Sequence, residues 1–175
     1  MNFDNIEYLK QGNAKQNSAY HVLISNNIIG ILQPYAPLLV GTIPINIDIN
    51  NSDLDIICYT PDLAEFKPYL SENFSNQHKY TITETTINNE DCVVANFYTD
   101  GFEIEIFGQN TPVKQQRAYR HMIIEHKLLE KYGEEFRQKV IELKRSGIKT
   151  EPAFAMLLGL QSNDPYTELL NYKIE

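Results

Sequence analysis

Asp53 and Asp55 stand two residues apart in Ser52-Asp53-Leu54-Asp55. On a strand that spacing turns both carboxylates to one face, roughly 6.6 Å apart along the backbone, while Leu54 and Ile56 turn to the other. Two carboxylates on one sheet surface repel. A divalent cation between them removes the repulsion, and their hard oxygen donors suit Mg²⁺. Two such ions about 3.5–4 Å apart can bind the attacking and leaving oxygens of an in-line phosphoryl displacement. Such a site needs a third acid. Glu103 and Glu105 share a face of the apolar run Phe102 to Phe107. Glu105 is the preferred candidate, because Glu103 lies nearer the preceding turn. Upstream, Gly41-Thr42 follows the apolar Leu38-Leu39-Val40. Glycine lets a backbone approach a phosphate, and the adjacent hydroxyl can donate to it.

The elements that must hold these residues can be read from hydrophobic period and punctuation. Asn5 to about Gln11 and Ala14 to about Leu32 read as helices, the second ended by Pro34-Tyr35-Ala36-Pro37. Leu38 to Ile43 reads as a buried strand. Ile45, Ile47 and Ile49 alternate with Asn46, Asp48 and Asn50 and read as a half-exposed ribbon. Leu54 to Tyr59 is a strand, and Thr60-Pro61 opens a helix to about Asn73, with Thr60 as cap. Tyr80 to Thr86, Cys92 to Tyr98 and Phe102 to Phe107 are strands joined by Asn88-Asn89 and Asp100-Gly101 turns. The remainder is helical: Thr111-Pro112 to Tyr132, Glu134 to Arg145 closed by Ser146-Gly147, a helix capped by Thr150, and one begun by Asp164-Pro165. The layout is α+β: a mixed central sheet flanked by helices, with a C-terminal helical tail. It reads as a single domain over 1–175, with an α/β core over 1–110 and a helical extension over 111–175.

The bulk composition narrows the class. The 175 residues suit one core, and 42% hydrophobic with 22% charged residues is ordinary for a soluble globular chain. No apolar run is long enough for a bilayer, so no membrane partner is expected, and the N-terminus lacks signal-peptide character; a cytoplasmic location is the expectation. Cys58 and Cys92 read as buried thiols. The net charge of -8 opposes binding of a long polyanion, so no long nucleic acid is expected as partner. In the tail, Arg117, His121 and Glu125 recur every four residues on one helix face. They form either a surface ladder of charge pairs or, with Arg120, a wall over the carboxylates, where His121 could act as general base. The third carboxylate is the other candidate for that role. His121 and His126 are five apart, which is the wrong spacing for a zincin site. Lys149, just before a helix, could meet an anion or simply be solvated. Ser52, Arg120 and Lys149 are thus further candidates for contacting a nucleotide. Tyr119, Phe154 and Tyr166 could stack on a base or serve as core.

Gly41-Thr42, Asp53-Leu54-Asp55 and Glu105 in this order resemble the signature of the nucleotidyltransferase superfamily related to DNA polymerase β. That superfamily includes the kanamycin and lincosamide nucleotidyltransferases and minimal antitoxin-type enzymes. Gly41-Thr42-Ile43-Pro44, Ile104 to Gln109, Ala118-Tyr119-Arg120-His121 and Lys149 to Phe154 look closer still to a bacterial branch of that superfamily with no assigned function. The resemblance implies that Asp53, Asp55 and Glu105 hold Mg²⁺ and act in catalysis, and that Gly41 and Thr42 contact nucleotide phosphates. It implies transfer of a nucleoside monophosphate from an NTP to a hydroxyl of a small molecule or protein. The alternative is a nucleotide-binding or scaffold module of the same fold with weakened catalysis. Thr42 stands where Gly or Ser is usual, and the spacer from Ile43 to Asn51 offers no basic residue to a phosphate.

Overall fold

Leu38–Val40, Leu54–Tyr59, His78–Ile87, Glu90–Thr99 and Phe102–Gln109 form strands β1 to β5 of the computed structural model, which describes residues 1–161 and 163–174. They make one sheet in the order β1-β2-β5-β4-β3. β2 and β5 run parallel and every other pair is antiparallel. The sheet is therefore mixed, as the sequence predicts. Its two hairpin turns have left-handed central residues: Asn88 and Asn89 (φ 53° and 65°), then Asp100 and Gly101 (φ 46° and 84°). Paired positive φ values match the right-handed twist of the flanking strands.

The helices are α1 (Ala14–Ser25), α2 (Ile28–Leu32), α3 (Leu63–Phe74), α4 (Arg117–Arg145), α5 (Thr150–Leu157) and α6 (Pro165–Leu170). One sheet face, carrying Leu54, Ile56, Ile104 and Ile106, packs on α1, α2 and α3 through Leu23, Leu32, Phe66 and Phe74. Near β1 the other face carries Leu38, Val40 and Ile57, which pack on α4 and α5 through Met122, Leu129, Val140 and Phe154. The helical tail thus covers part of the face that bears the acids, and a cleft is left beside it. Among the described residues no helix is long and apolar enough to cross a membrane.

Several boundaries differ from the sequence reading, each for a local reason. The expected helix over 14–32 breaks at Asn26-Asn27, where Asn27 takes a left-handed conformation (φ 52°). Glu7–Gln11 is a 3-10 rather than an α-helix. Asp62, not Thr60, caps α3, because its side chain accepts from the N–H groups of Ala64 and Glu65 (2.9 and 3.1 Å). Thr111-Pro112 leads only into a 3-10 turn over Val113–Gln115, and α4 begins at Arg117. Lys149 is the residue before α5, and Thr150 is its first helical residue. Gly133 (φ 74°) divides α4 where the sequence predicts two helices. Asp164 caps α6 by accepting from the Thr167 N–H (3.1 Å). Cys58 and Cys92 are free and buried.

The largest correction concerns 41–50. The strand read over Leu38 to Ile43 ends at Val40, and the ribbon read over Ile45 to Ile49 is not a strand. The chain turns instead, with Asn46 N–H donating to the Ile43 carbonyl (3.2 Å) and Ile47 N–H to the Thr42 carbonyl (3.1 Å). Ile43, Ile45 and Ile47 are all buried. Alternating Ile and polar residues mimic strand period, but the left-handed Asn46 (φ 58°) closes the turn.

Candidate functional site

Parallel pairing of β2 with β5 sets Asp55 directly beside Glu105. Val40 flanks Asp55 on β1, and Asn96 flanks Glu105 on β4, so one row crosses four strands. Asp53 immediately precedes β2. Asp53, Asp55 and Glu105 all line a cleft of about 950 Å³ between the sheet and the helical tail. Glu103 does not line it; its carboxylate accepts from the Tyr98 hydroxyl (2.6 Å). Of the two acids left open by the sequence, Glu105 is therefore the cleft residue.

Gly41 makes the close approach. It has φ +82°, and a Cβ there would lie 2.1 Å from Oδ2 of Asp55. The Thr42 hydroxyl donates to Oγ of Ser52 (3.2 Å), which also accepts from the Ile49 N–H (2.9 Å). These bonds tie the Gly-Thr turn to the aspartate strand. Burial pushes the Asp55 carboxyl up to about 8, helped by the charges of Asp53 and Glu105. Burial likewise raises Asp53 and Glu105, with Glu103 adding to both and Asp53 adding to Glu105. Crowded acids that resist ionisation in a cleft are a functional-site signature.

These residues suit a hard divalent cation in two respects. Their donors are carboxylate oxygens, and a positive charge would relieve the repulsion that raises all three. Among the described residues, however, no three His, Cys, Asp or Glu side chains already stand together as a metal site.

The opposite wall comes from α4, the turn after it and α5. His121 and Glu125 are buried (6% and 3% exposed), which overturns the surface-ladder reading of that helix face. His121 Nε2 lies 2.9 Å from the Tyr166 carbonyl, and Nδ1 lies 3.7 Å from Glu151. Both ring nitrogens thus face protein groups. Arg117 donates to the Thr167 hydroxyl (3.3 Å) at the cleft wall. Lys149 is exposed at the rim. Arg120 is not brought to the acids; it lines a separate depression with Lys114, Tyr119 and Lys127. Phe154 is core, Tyr119 packs beside that core, and Tyr166 lines the cleft. His126 packs edge-on to Phe3, away from His121.

Sequence reasoning missed Lys144. It is 7% exposed, lines the cleft and donates to the Ile47 carbonyl (2.8 Å). Burial pulls its ammonium down to about 8, opposed by Glu125, Asp48, Glu151 and Asp53. Burial raises Glu125 to about 8, with Glu151 adding to it. The spacer that lacks cations of its own receives them from elsewhere. Arg137 donates to the carbonyls of Ile45 (2.5 Å) and Asn46 (3.0 Å), Lys144 to Ile47, and Lys15 to Ile49 (2.6 Å). The signal was the seven-residue spacing of Arg137 and Lys144 around the apolar Val140, which puts both cations on a packed face.

Residues 21–172 match the family model described as Domain of unknown function (DUF4269), and the chain belongs to that family. No curated protein matches the sequence. Among solved structures, the Cid1 poly(U) polymerase with MgGTP bound is similar with TM-score 0.55 and 10% identity, over 79% of this chain and 46% of that one. A cytoplasmic RNA terminal U-transferase gives 0.54 and 11%, over 79% and 43%. The GLD-2/RNP-8 complex gives 0.53 and 14%, over 98% and 74%. The chain shares the fold of these proteins, the nucleotidyltransferase-like fold that the sequence predicts, and it spans about half the length of the Cid1 polymerase.

Proposed function

We propose that the chain is a metal-dependent nucleotidyltransferase that moves a nucleoside monophosphate from an NTP to a hydroxyl of a small molecule or protein. The observation that carries this reading is the adjacency of Asp55 and Glu105 beneath Gly41, with Asp53 in the same cleft. The solved neighbours include a polymerase bound with MgGTP, which supports Mg²⁺ and an NTP as the ligands. Asp53, Asp55 and Glu105 would hold the metal in a two-ion arrangement. Held by these three carboxylates, such cations would supply charge neutralisation for displacement at the α-phosphate.

The chain's own groups do the rest. The Gly41 backbone meets phosphate oxygens, and the Ser52 hydroxyl, which accepts from Thr42, has its own proton to donate to one of them; Thr42 sets its direction. Lys144 and Lys149 offset triphosphate charge from the facing wall. His121 keeps its ring between Tyr166 and Glu151 and so orients that wall rather than taking the acceptor's proton. The net charge of -8 favours a compact acceptor. The similar Cid1 polymerase has RNA terminal uridylyl transferase activity and is solved with its short product ApU, so an RNA oligonucleotide is the competing acceptor class.

The test is pyrophosphate release from NTP and Mg²⁺ across small-molecule, protein and oligonucleotide acceptors. Asp53→Asn and Asp55→Asn should each abolish release without unfolding the protein. Full rates in both variants would sink the mechanism. A second reading, a nucleotide-binding module with weakened catalysis, draws on the raised Asp55, which holds a cation less firmly near neutral pH. Calorimetry showing Mg²⁺-NTP binding without turnover on any acceptor would select it.

A further inference from the structure

At the far end of the cleft from the acids, Gln116 has a hydrogen-bonding capacity that the protein does not use. It precedes α4 and is 2% exposed. Its Nε2 donates to the carbonyls of Cys58 (2.9 Å) and Thr111 (2.8 Å). Only an NH₂ group can stand against two carbonyl oxygens, so the amide cannot be flipped. Its Oε1 is thereby fixed as well, and this buried oxygen accepts no hydrogen bond. An acceptor left in that state destabilises the fold until a donor meets it. Gln116 lines the cleft while its Oε1 is closed to solvent, so a ligand donor that displaces the side chains over it can meet that need.

The surroundings suit an uncharged flat group. Ile57 and Phe107, paired across β2 and β5, give an apolar floor, and the buried Gln109 stands one pleat further along. Cys58, which anchors the Gln116 amide, lies three residues along β2 from Asp55, roughly 10 Å. That is comparable to the span of a nucleotide from its α-phosphorus to the outer edge of its base.

We propose that Gln116 is a specificity-determining residue whose Oε1 accepts from the exocyclic amino group of a nucleobase. The cleft then takes 6-amino purine and 4-amino pyrimidine triphosphates in preference to their 6-keto and 4-keto counterparts. An amino group donates to Oε1. A keto oxygen at the same position sets two acceptors against each other, and the ring N–H of a keto base points from a different place on the edge. This inference rests on the nucleotidyltransferase reading of the same cleft.

The experiment titrates the full chain, with Mg²⁺, against non-hydrolysable α,β-methylene analogues of CTP and UTP and of ATP and ITP. Each pair differs at one exocyclic group and, with it, at the proton on the neighbouring ring nitrogen. The amino member should bind at least about tenfold more tightly in both pairs. Gln116→Met should bring the two members of each pair within about twofold. Equal binding within the pairs, a keto preference, or an amino preference that survives in Gln116→Met overturns the proposal. Should Gln116→Met fail to fold, the analogue pairs on the native chain decide, together with an N6,N6-dimethyl ATP analogue, which should bind at least about tenfold more weakly than its parent. Binding by none of the analogues would remove the nucleotide reading itself, and this inference with it. Binding without base preference would remove this inference alone.

Discussion

On the sheet wall of the cleft, Asp55 and Glu105 are neighbours because two parallel strands lie in register. On the helical wall, Glu125 and Lys144 come into each other's field because α4 turns at Gly133 and its second half docks on the 43–51 spacer. The first arrangement is local and periodic. The second depends on residues far apart in the chain. Both walls bury charge, but the sheet wall gathers like charges while the helical wall mixes them. Like charges held together call for a cation from outside. A mixed wall can stand without a ligand and still present a cation to one.

This contrast breaks most sharply at the two glutamates of β5. Glu105→Gln should lower nucleotidyl transfer by at least about 100-fold, whereas Glu103→Gln should change it by no more than about threefold. Pyrophosphate release measured on both variants decides; equal losses would mean that cleft position does not separate them. Lys144→Met should weaken Mg²⁺-NTP binding by about tenfold in calorimetry, and Arg120→Ala should leave it unchanged. A loss at Arg120 and none at Lys144 would move the phosphate site to the other face of α4. Gly41→Ala should cost about 1 kcal/mol or more in urea denaturation, from the positive φ alone, and displace the Asp55 carboxylate. A variant as stable as the native chain would show that the turn relaxes.

The smallest effect concerns pH. Asp55 and Glu125 hold protons in the folded state up to about 8, while the unfolded chain releases them near 4. The folded state therefore binds more protons between those values, and stability of the metal-free protein falls as pH rises from about 4 to about 8. Asp55→Asn and Glu125→Gln should each make that slope shallower in urea melts at a pH series. A slope changed by Asp55→Asn alone would show that Glu125 ionises freely, and the two walls would then differ in hydration as well as in charge pattern.

The same contrast explains what the sequence disclosed. Period-two alternation, Gly41-Thr42 and the Asp100-Gly101 turn are short-range signals, and the sheet wall follows from them. Glu125 and Lys144 carry charges on helices whose exposed faces are also charged, so composition does not separate them from solvated neighbours. Spacing does: Met122, Glu125 and Leu129 lie on one stripe, which puts an acid at a core position. Gln116 gave no signal, because its role depends on the Cys58 carbonyl 58 residues away. Asn46 misled because its neighbours alternate like a strand, and only its left-handed backbone reveals the turn.

Arg137, Lys144 and Lys15 all donate to main-chain oxygens of the spacer, at Ile45, Ile47 and Ile49. A peptide carbonyl is present whatever side chain it carries. Replacing the spacer's residues one at a time would therefore test their packing and leave every one of these latches in place. A mutational scan of 43–51 would be blind to the contacts that hold it, and the spacer could drift in sequence while keeping its three cations. The record of that constraint lies in the distant residues that donate, two of them almost one hundred positions downstream.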